Sequence, residues 1–492
     1  MVGSGFDGQG ERRGGSAGVR YHFMGIGGYG MSGLAYLLAK RGEEVTGCDV
    51  VASSRVRRLE EEGVRVFLGH SPAHLEGVDV LVYSTDIPPE EEERREAAAR
   101  GLAVRHRSEI LSLFVNAKKS VAVTGSHGKS TVTAMAGLLL EQAGLDPVVV
   151  VGAEVPAFGG TARAGRGEWV VAEADESDGS FLRYRPLCTV LTNLEPEHLD
   201  HYGGDFRALK EALRCFAREC VRPQGFIVAC ADDPALREIL SGLERPVIWY
   251  GFSPQADYRA EEVEAGGGGL SFHLLRRGER MGRVRLEIPG RHNAQNATGV
   301  AALGLTLGLP FELVARALAA YRGAGRRFQV VGRPDGITVV DDYAHHPTEI
   351  RATLEAARER GPARIIAVFQ PQRYSRTRLL MEEFSRAFSA ADEVFLLDIY
   401  SPPGEKPIPG VSSQALAERI SAREGRPVTC FSDQGELVKH LSRRLEPGDL
   451  VLTMGAGDVW KVAHRLVQEL SPSALASVPT GARTGAPKVE TA

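Results

Sequence analysis

The chain has 492 residues, too many for one hydrophobic core and enough for about three domains. With 43% hydrophobic and 25% charged residues and a net charge of -4, it has the composition of an ordinary soluble globular protein and no basic field to attract nucleic acid. No apolar run is long enough to span a bilayer, and no apolar signal-peptide core follows Met1.

The six cysteines (Cys48, Cys188, Cys215, Cys220, Cys230, Cys430) lack a Cys-x-x-Cys spacing and read as reduced core thiols, which points to the cytoplasm. Residues 1–18, rich in Gly, Ser and Arg, and 471–492, rich in Ser, Ala, Thr and Pro, read as disordered tails.

A first domain is expected over residues 19–115. Residues 19–23 predict a strand that runs into Gly25-Ile26-Gly27-Gly28-Tyr29-Gly30-Met31, then an apolar helix and a second strand ending at Asp49. Gly25, Gly27 and Gly30 fit a dinucleotide fingerprint, with Asp49 where a ribose-binding acid falls. That pattern says only that a diphosphate meets a helix N-terminus, so NAD and a nucleotide-diphosphate sugar both satisfy it. Strands at 64–67, 78–84 and 104–106 complete a doubly wound parallel sheet, with His70 and Ser84 at strand ends where ligands of such sheets bind.

A central domain is expected over 116–325. The β-branched run 120–123 ends in Gly125-Ser126-His127-Gly128-Lys129-Ser130-Thr131, which opens an apolar helix through Met135, Leu138 and Leu140. This is a shortened phosphate loop, with Val123 where the first glycine of the full pattern would stand. Its backbone N–H groups suit phosphate oxygens, Lys129 suits the terminal phosphates of ATP or GTP, and Ser130 or Thr131 suits Mg2+.

The strand from Trp169 ends in a burst of acids, Glu173, Asp175, Glu176 and Asp178. Four such carboxylates repel one another unless a cation sits among them, and Glu173 is the natural Mg2+ partner of Ser130. The strand at 188–192 delivers Asn193 and His198, the latter a candidate ligand for a second metal. Residues 257–288 predict a small antiparallel flap, and Gly290-Arg291-His292-Asn293 opens a helix whose His292, Asn293 and Asn296 suit a purine edge or ribose.

Arg326-Arg327-Phe328 marks a junction to a third domain over 326–470. Strands at 338–341, 364–369, 393–398, 428–431 and 449–453 alternate with helices, a second doubly wound sheet. Its strand ends carry Asp341 to Glu349 and Phe369 to Thr377, so His345, His346, Arg373 and Arg376 converge at one edge suited to a carboxylate.

Taken in order, the Gly25 loop, the Gly125 loop, Glu173-Ala-Asp-Glu-Ser-Asp178, Gly290-Arg-His-Asn293, Arg326-Arg327-Phe328 and the segments from Asp342 and Phe369 resemble the Mur ligase family over residues 19–470. The resemblance implies three α/β domains: an N-terminal Rossmann-like UDP-binding domain, a central P-loop ATPase with a parallel sheet and a flap, and a Rossmann-like C-terminal domain that closes and binds the amino acid. It assigns Gly25, Gly27, Gly28, Gly30, Met31, Asp49, His70 and Ser84 to a UDP-sugar. ATP falls to Gly125, Ser126, His127, Gly128, Lys129, Ser130, Thr131, His292, Asn293, Asn296, Arg326 and Arg327. Two Mg2+ ions fall to Ser130, Glu173 and His198. Catalytic roles are expected for Lys129, Glu173, Asn193, His198, His345, Arg373 and Arg376.

The implied reaction joins L-alanine to the lactyl carboxylate of UDP-N-acetylmuramate through an acyl phosphate, releasing ADP and phosphate, in a monomer or homodimer. Alternatives are a recycling member of the family that adds a whole peptide, against which Glu176-Ser177-Asp178 leans, a nicotinamide-dependent oxidoreductase, and a regulatory ATP-binding protein. Three departures stand out. Ala344 occupies a position where the family has glycine, Ser84-Thr85-Asp86 replaces an expected Ser-x-Ala-Ile, and Lys210 does not align with the lysine that other members carbamylate.

Overall fold

The computed structural model describes residues 18–197, 199–401 and 405–471. They form two compact units, one ending at Gly325 and one beginning at Arg326. The first unit holds two sheets and the second holds one.

The first sheet consists of β1 (Arg20–Met24), β2 (Glu44–Asp49), β3 (Arg65–Leu68), β4 (Val80–Tyr83) and β5 (Ala103–His106) in the order β3-β2-β1-β4-β5, all parallel. Helices α1 (Tyr29–Lys40), α2 (Ser54–Glu61), α3 (Glu92–Ala99) and α4 (Arg107–Val115) connect and flank these strands. The order reverses at β1, so the loop leaving β1 lies where a doubly wound sheet opens a crevice.

The second sheet has ten strands: β6 (Lys119–Thr124), β7 (Val148–Val155), β8 (Gly160–Arg163), β9 (Trp169–Glu173), β10 (Cys188–Leu191), β11 (Phe226–Cys230), β12 (Val247–Gly251), β13 (Tyr258–Gly266), β14 (Gly269–Arg276) and β15 (Glu279–Leu286). They lie in the order β15-β14-β13-β12-β11-β10-β6-β9-β7-β8. Strands β6, β9, β10 and β11 read as continuous apolar runs because helices cover both faces of a parallel sheet. The expected flap is antiparallel, but β13 pairs with β12, so it extends the main sheet rather than standing apart from it.

The sheet is covered by α5 (Lys129–Gln142), α6 (Phe206–Cys215), α7 (Pro234–Leu240), α8 (Arg291–Thr306) and α9 (Phe311–Ala320). Helix α6 loosens at its C-terminal end into a π turn over Phe216–Cys220. One apolar core runs through both sheets of this unit, from Phe23 to Ala324. Helix α1 also packs on β7 and β8, where Ser32 Oγ lies 3.2 Å from Thr161 Oγ1.

The second unit is a six-stranded sheet of β16 (Gln329–Gly332), β17 (Thr338–Asp342), β18 (Arg364–Phe369), β19 (Glu393–Leu397), β20 (Thr429–Phe431) and β21 (Asp449–Met454), in the order β16-β17-β21-β18-β19-β20. All but the edge strand β16 run parallel. Helices α10 (Pro347–Arg358), α11 (Tyr374–Leu379), α12 (Met381–Phe384), α13 (Ser413–Glu424), α14 (Gln434–Ser442) and α15 (Trp460–Leu470) lie among them. Two apolar clusters, one around Phe369 and Leu452 and one around Val339 and Val451, fill the two faces of the sheet. Among the described residues no helix is long and apolar enough to cross a membrane.

Small residues let α8 lie close to its neighbours. A Cβ on Gly299 would stand 2.8, 2.9 and 3.1 Å from three ring atoms of Tyr250, which is itself 1% exposed. Gly299→Leu is therefore expected to destabilise the first unit by roughly 1–3 kcal/mol through overpacking. A thermal unfolding midpoint equal to that of the parent chain would contradict this packing.

Candidate functional site

The glycine loop after β1 is braced from below. Gly25 has a φ of +69°, and its N–H and that of Ile26 donate to the Cys48 carbonyl at 2.8 and 3.0 Å. Gly27 N–H donates to Asp49 Oδ2 at 2.8 Å, and a Cβ on Gly27 would lie 3.0 Å from Asp49 Oδ2, Ser53 Oγ and Val56 Cγ2. Gly28 precedes α1, whose first N–H groups have no side-chain cap, the arrangement that receives a diphosphate.

Asp49 turns its second oxygen to Val51 N–H at 3.0 Å, so its carboxylate organises the loop. Met31 is buried in the core, and Ser84 is half-buried just after β4. His70 is drawn to Cys48 Sγ (3.1 Å) and Glu93 Oε2 (3.5 Å).

The phosphate loop leaves β6 between β9 and β10, whose registers set Glu173 beside Val123 and Leu191 beside Thr124. The C-terminal ends of three parallel strands therefore deliver Glu173, the loop and Asn193 to one edge. Gly125 has a φ of +128° and Gly128 a φ of +81°. A Cβ on Gly125 would fall 2.3 Å from Thr192 Oγ1 and 2.6 Å from Asn193 O, and one on Gly128 would fall 2.8 Å from Asn296 Oδ1.

Asn193 clamps the loop by accepting from His127 N–H at 2.8 Å and donating to His127 O at 3.2 Å. Ser126 Oγ accepts from Glu195 N–H at 2.8 Å, and His127 lies 3.5 Å from the Glu195 carboxylate. Ser130 and Thr131 are buried in the first turn of α5. Asn293 and Asn296 sit side by side on α8, 3.3 Å apart, with Asn293 also donating to Pro289 O; His292 is half-buried in the same first turn.

Lys129 is the charge at the centre. Its Nζ donates to Gly125 O (2.7 Å), Ser126 O (3.2 Å) and Glu176 Oε1 (3.0 Å). Desolvation works against the ammonium, but Glu176, Asp175 and Glu173 outweigh it and hold its pKa above the usual lysine range. Burial pushes the Glu176 carboxyl up to about 7 against the pull of Lys129. Burial opposes charge on Asp175 as well, yet Lys129 and Arg107 overcome it and hold that carboxyl at about 2. Glu173 accepts from Gly152 N–H at 2.8 Å. His198 lies outside the described residues.

Arg107, not singled out from the sequence, and Glu176, given no partner there, hold this region together. Arg107, first residue of α4, pairs with Asp175 at 3.1 Å, and its Nη1 would stand 3.2 Å from a Cβ on Gly30. It thus links the glycine loop of the first sheet to the acids of the second. Glu176, seen in sequence only as one of several acids, is the carboxylate that meets Lys129. The other acid of the run, Asp178, accepts from Thr85 Oγ1 at 3.1 Å and lies 3.8 Å from His106. Lys210 pairs with Glu238 at 2.6 Å.

In the second unit, register places Asp342, Met454 and Phe369 in one row across β17, β21 and β18. The loops that follow these three strands leave the same edge. Arg326 donates to Asp341 Oδ2 (2.8 Å), Gly455 O (2.6 Å) and Gly457 O (3.2 Å), tying two of those loops together. Arg327 lies 3.7 Å from the Glu349 carboxylate, and both arginines face the Tyr343 ring at 5.0 and 5.3 Å.

His345 Nδ1 donates to Tyr343 O (2.9 Å), and His346 caps α10 in a reciprocal box with Glu349. Arg376 donates to Gln372 Oε1 at 2.7 Å from the helix that Arg373 opens. Arg326, Phe328 and Arg373 all take left-handed φ values of +57°, +48° and +69°, strain that the surrounding loops must support and that commonly marks functional positions. Ala344, where glycine was expected, is not among the left-handed residues, and its N–H donates to Asp342 Oδ1 at 2.7 Å. The loop therefore accommodates a Cβ.

Two glycine-loop sheets, one of them with a buried lysine at a helix N-terminus, define a nucleotide-binding α/β enzyme of the phosphate-loop class. The chain belongs to the Mur ligase family. Residues 20–119 match the Mur ligase family catalytic domain, 123–304 the Mur ligase middle domain and 326–457 the Mur ligase glutamate ligase domain.

A UDP-N-acetylmuramate–L-alanine ligase of Symbiobacterium thermophilum is 53% identical over 93% of this chain and 95% of its own length. One from Pelotomaculum thermopropionicum is 45% identical over 91% and 97%. Among solved structures, UDP-N-acetylmuramate-alanine ligase of Thermotoga maritima superposes with a TM-score of 0.80 at 27% identity, over 92% of this chain and 99% of that one. A murein peptide ligase of Psychrobacter arcticus gives 0.71 at 25% identity over the same shares.

Asp342 yields a pH prediction. Burial raises its carboxyl from the usual 3.8 to about 6, against the pull of Arg327 and of the Phe328 and Ala344 N–H groups. A raised acid contributes stability that is complete below the unfolded pKa and is lost as pH rises through the folded one. Asp342→Asn removes that dependence while losing one of two backbone hydrogen bonds. The stability advantage of the parent over the variant is expected to shrink by about 3 kcal/mol between pH 3.5 and 7. A pH-independent difference in urea titrations would show that Asp342 does not ionise in this window.

Proposed function

We propose that the protein is an ATP-dependent ligase that joins L-alanine to the lactyl carboxylate of UDP-N-acetylmuramate, releasing ADP and phosphate, in the synthesis of peptidoglycan precursors. The observation that carries this reading is the conjunction of a braced glycine loop and a lysine-bearing phosphate loop in one unit, on a chain 53% identical to a ligase of that name. The Gly25 loop then serves UDP rather than NAD. We take the domain boundaries as 19–115, 116–325 and 326–470, and the cytoplasm as the site of action, in keeping with six free thiols.

A carboxylate is a poor electrophile, so it must be activated before an amine attacks it. The substrate carboxylate oxygen bonds to the γ-phosphorus of ATP as the bond to ADP breaks, giving an acyl phosphate. Lys129 stabilises the charge that develops on the transferred group, and the uncapped N–H groups of α5 hold the phosphates in line. Ser130 and Glu173 supply oxygen donors that fit Mg2+, with His198 the further candidate; we propose two ions. Mg2+ held there would neutralise phosphate charge. Asn193 keeps the loop in shape through its two bonds to His127.

His292, Asn293 and Asn296 suit the base or ribose, and Arg326 and Arg327 are further candidates for the nucleotide. Gly25, Gly27, Gly28, Gly30, Met31, Asp49, His70 and Ser84 make up the proposed UDP-sugar side. The amine of L-alanine then attacks the acyl carbon, and phosphate leaves. Arg373 and Arg376 offer the forked donors a carboxylate needs, and His345 stands on another loop leaving the same sheet edge.

The test is ADP release with UDP-N-acetylmuramate against a panel of amino acids and the tripeptide that a recycling ligase would take. Turnover is expected with L-alanine and not with the tripeptide; the reverse pattern would overturn the reading. Arg376→Lys replaces a fork by a point charge, so the apparent KM for L-alanine is expected to rise at least about tenfold with little change for ATP. A defect confined to ATP saturation would move Arg376 to the phosphates.

A further inference from the structure

The face of the first sheet covered by α3 carries a cluster that the reaction does not use. Along β1, His22 and Met24 point to one side and Phe23 to the other, and register sets Cys48 of β2 beside Met24. Met24 and Cys48 pack with Leu75 and with Ala97 of α3, so this is the side on which His22 and Cys48 lie. His74, from the 3-10 turn at Pro72–Leu75, and Glu93, from the first turn of α3, approach the same spot.

One ligand atom from each of His22, Cys48, His74 and Glu93 lies within 4.8 Å of the others. Glu93 Oε1 is 2.9 Å from His22 Nε2 and 3.2 Å from His74 Nδ1, and its Oε2 is 3.2 Å from Cys48 Sγ. The His22 and Glu93 side chains are completely buried.

The hydrogen bonds around the cluster set the histidine tautomer. Thr46 Oγ1 donates to Tyr21 O at 3.4 Å and so accepts from His22 Nδ1 at 2.8 Å. The ring proton then sits on Nδ1, and Nε2 presents a lone pair, the orientation that metal-bound histidines owe to an outer partner. Nε2 lies 2.9 Å from the Glu93 oxygen without hydrogen-bond geometry in a dry interior, and a cation shared between them satisfies both.

We propose that His22, Cys48, His74 and Glu93 form a structural zinc site in the first sheet. Two imidazole nitrogens, one sulfur and one carboxylate oxygen are the donors zinc takes, in a closed set of four. Bonds of about 2.0–2.3 Å separate tetrahedral ligand atoms by about 3.3–3.8 Å; the Glu93 contacts of 2.9–3.2 Å lie just under that range and the other separations lie within 4.8 Å.

Glu93 is also fixed by Ser71 N–H at 3.2 Å, and His70, its side chain 20% exposed, lies 3.1 Å from Cys48 Sγ on the outer side. Burial and the Glu93 charge keep the Cys48 thiol protonated, so loading zinc releases that proton to solvent. The site pins β1, β2, the turn after β3 and α3 to one another behind the glycine loop.

The test uses the full chain, stripped with chelator and titrated with Co2+ in the absence of nucleotide and Mg2+. About one Co2+ per chain is expected to bind with a thiolate-to-cobalt charge-transfer band that Zn2+ abolishes. Cys48→Ser should lose the band, Cys188→Ser should keep it, and His74→Ala should weaken binding at least about tenfold. X-ray absorption of the zinc-loaded parent, which depends on no variant, should show a sulfur neighbour at about 2.3 Å. Absence of the charge-transfer band and of the sulfur neighbour would overturn the proposal in favour of a metal-free hydrogen-bond network centred on Glu93, and a band that survives in Cys48→Ser would overturn it by placing the metal on another thiol.

Discussion

The structure of the first unit turns on a buried ammonium. Lys129 is largely withdrawn from water, its side chain 12% exposed, and such a charge persists only where opposite charge and hydrogen bonds replace its hydration. Glu176, at 3.0 Å, and two carbonyls of the loop do so. The compensation does not stop at one pair. Asp175, two residues past the end of β9, shares its field with Lys129 and its contact with Arg107, and Arg107 reaches the first turn of α1. One chain of charges therefore runs from the phosphate loop to the glycine loop, and the two nucleotide-binding elements are set against each other by electrostatics as well as by the shared core.

That chain exists because of strand register. Glu173 aligns with Val123 and Leu191 with Thr124, so three consecutive positions across the sheet end together and their loops must meet. The second unit repeats the device with Asp342, Met454 and Phe369. In both cases the chain skips a neighbouring position in the sheet and returns to it later, which opens a crevice at the strand ends. Arg326 and the left-handed backbone at Arg373 then fix the arginine-bearing loops of that edge.

Much of this was legible in the sequence because it is local. The Gly25 and Gly125 loops each declare a strand, a turn and a helix within about fifteen residues, the range over which hydrophobic period and glycine placement act. The edge strands β8 and β16 escaped notice because short strands at a sheet margin carry little periodic signal. Arg107 and Glu176 were not identifiable because their meaning lies in partners 68 and 47 residues away. The His22–Cys48–His74–Glu93 cluster shows the same limit: Cys48 reads as a core thiol and His22 as a strand residue until the sheet and α3 bring them together. Asp49 adds something its spacing did not announce, since its carboxylate also braces Gly27 and Val51.

The central claim is that the Lys129 loop transfers a phosphoryl group to a substrate carboxylate. The most direct measurement follows oxygen. UDP-N-acetylmuramate carrying 18O in its lactyl carboxylate is incubated with the enzyme, ATP, Mg2+ and L-alanine, and the products are resolved by mass spectrometry. An acyl phosphate requires that one labelled oxygen leave with the inorganic phosphate while ADP stays unlabelled. Label recovered in AMP, with pyrophosphate as the other product, would mean attack at the α-phosphorus and would contradict the account.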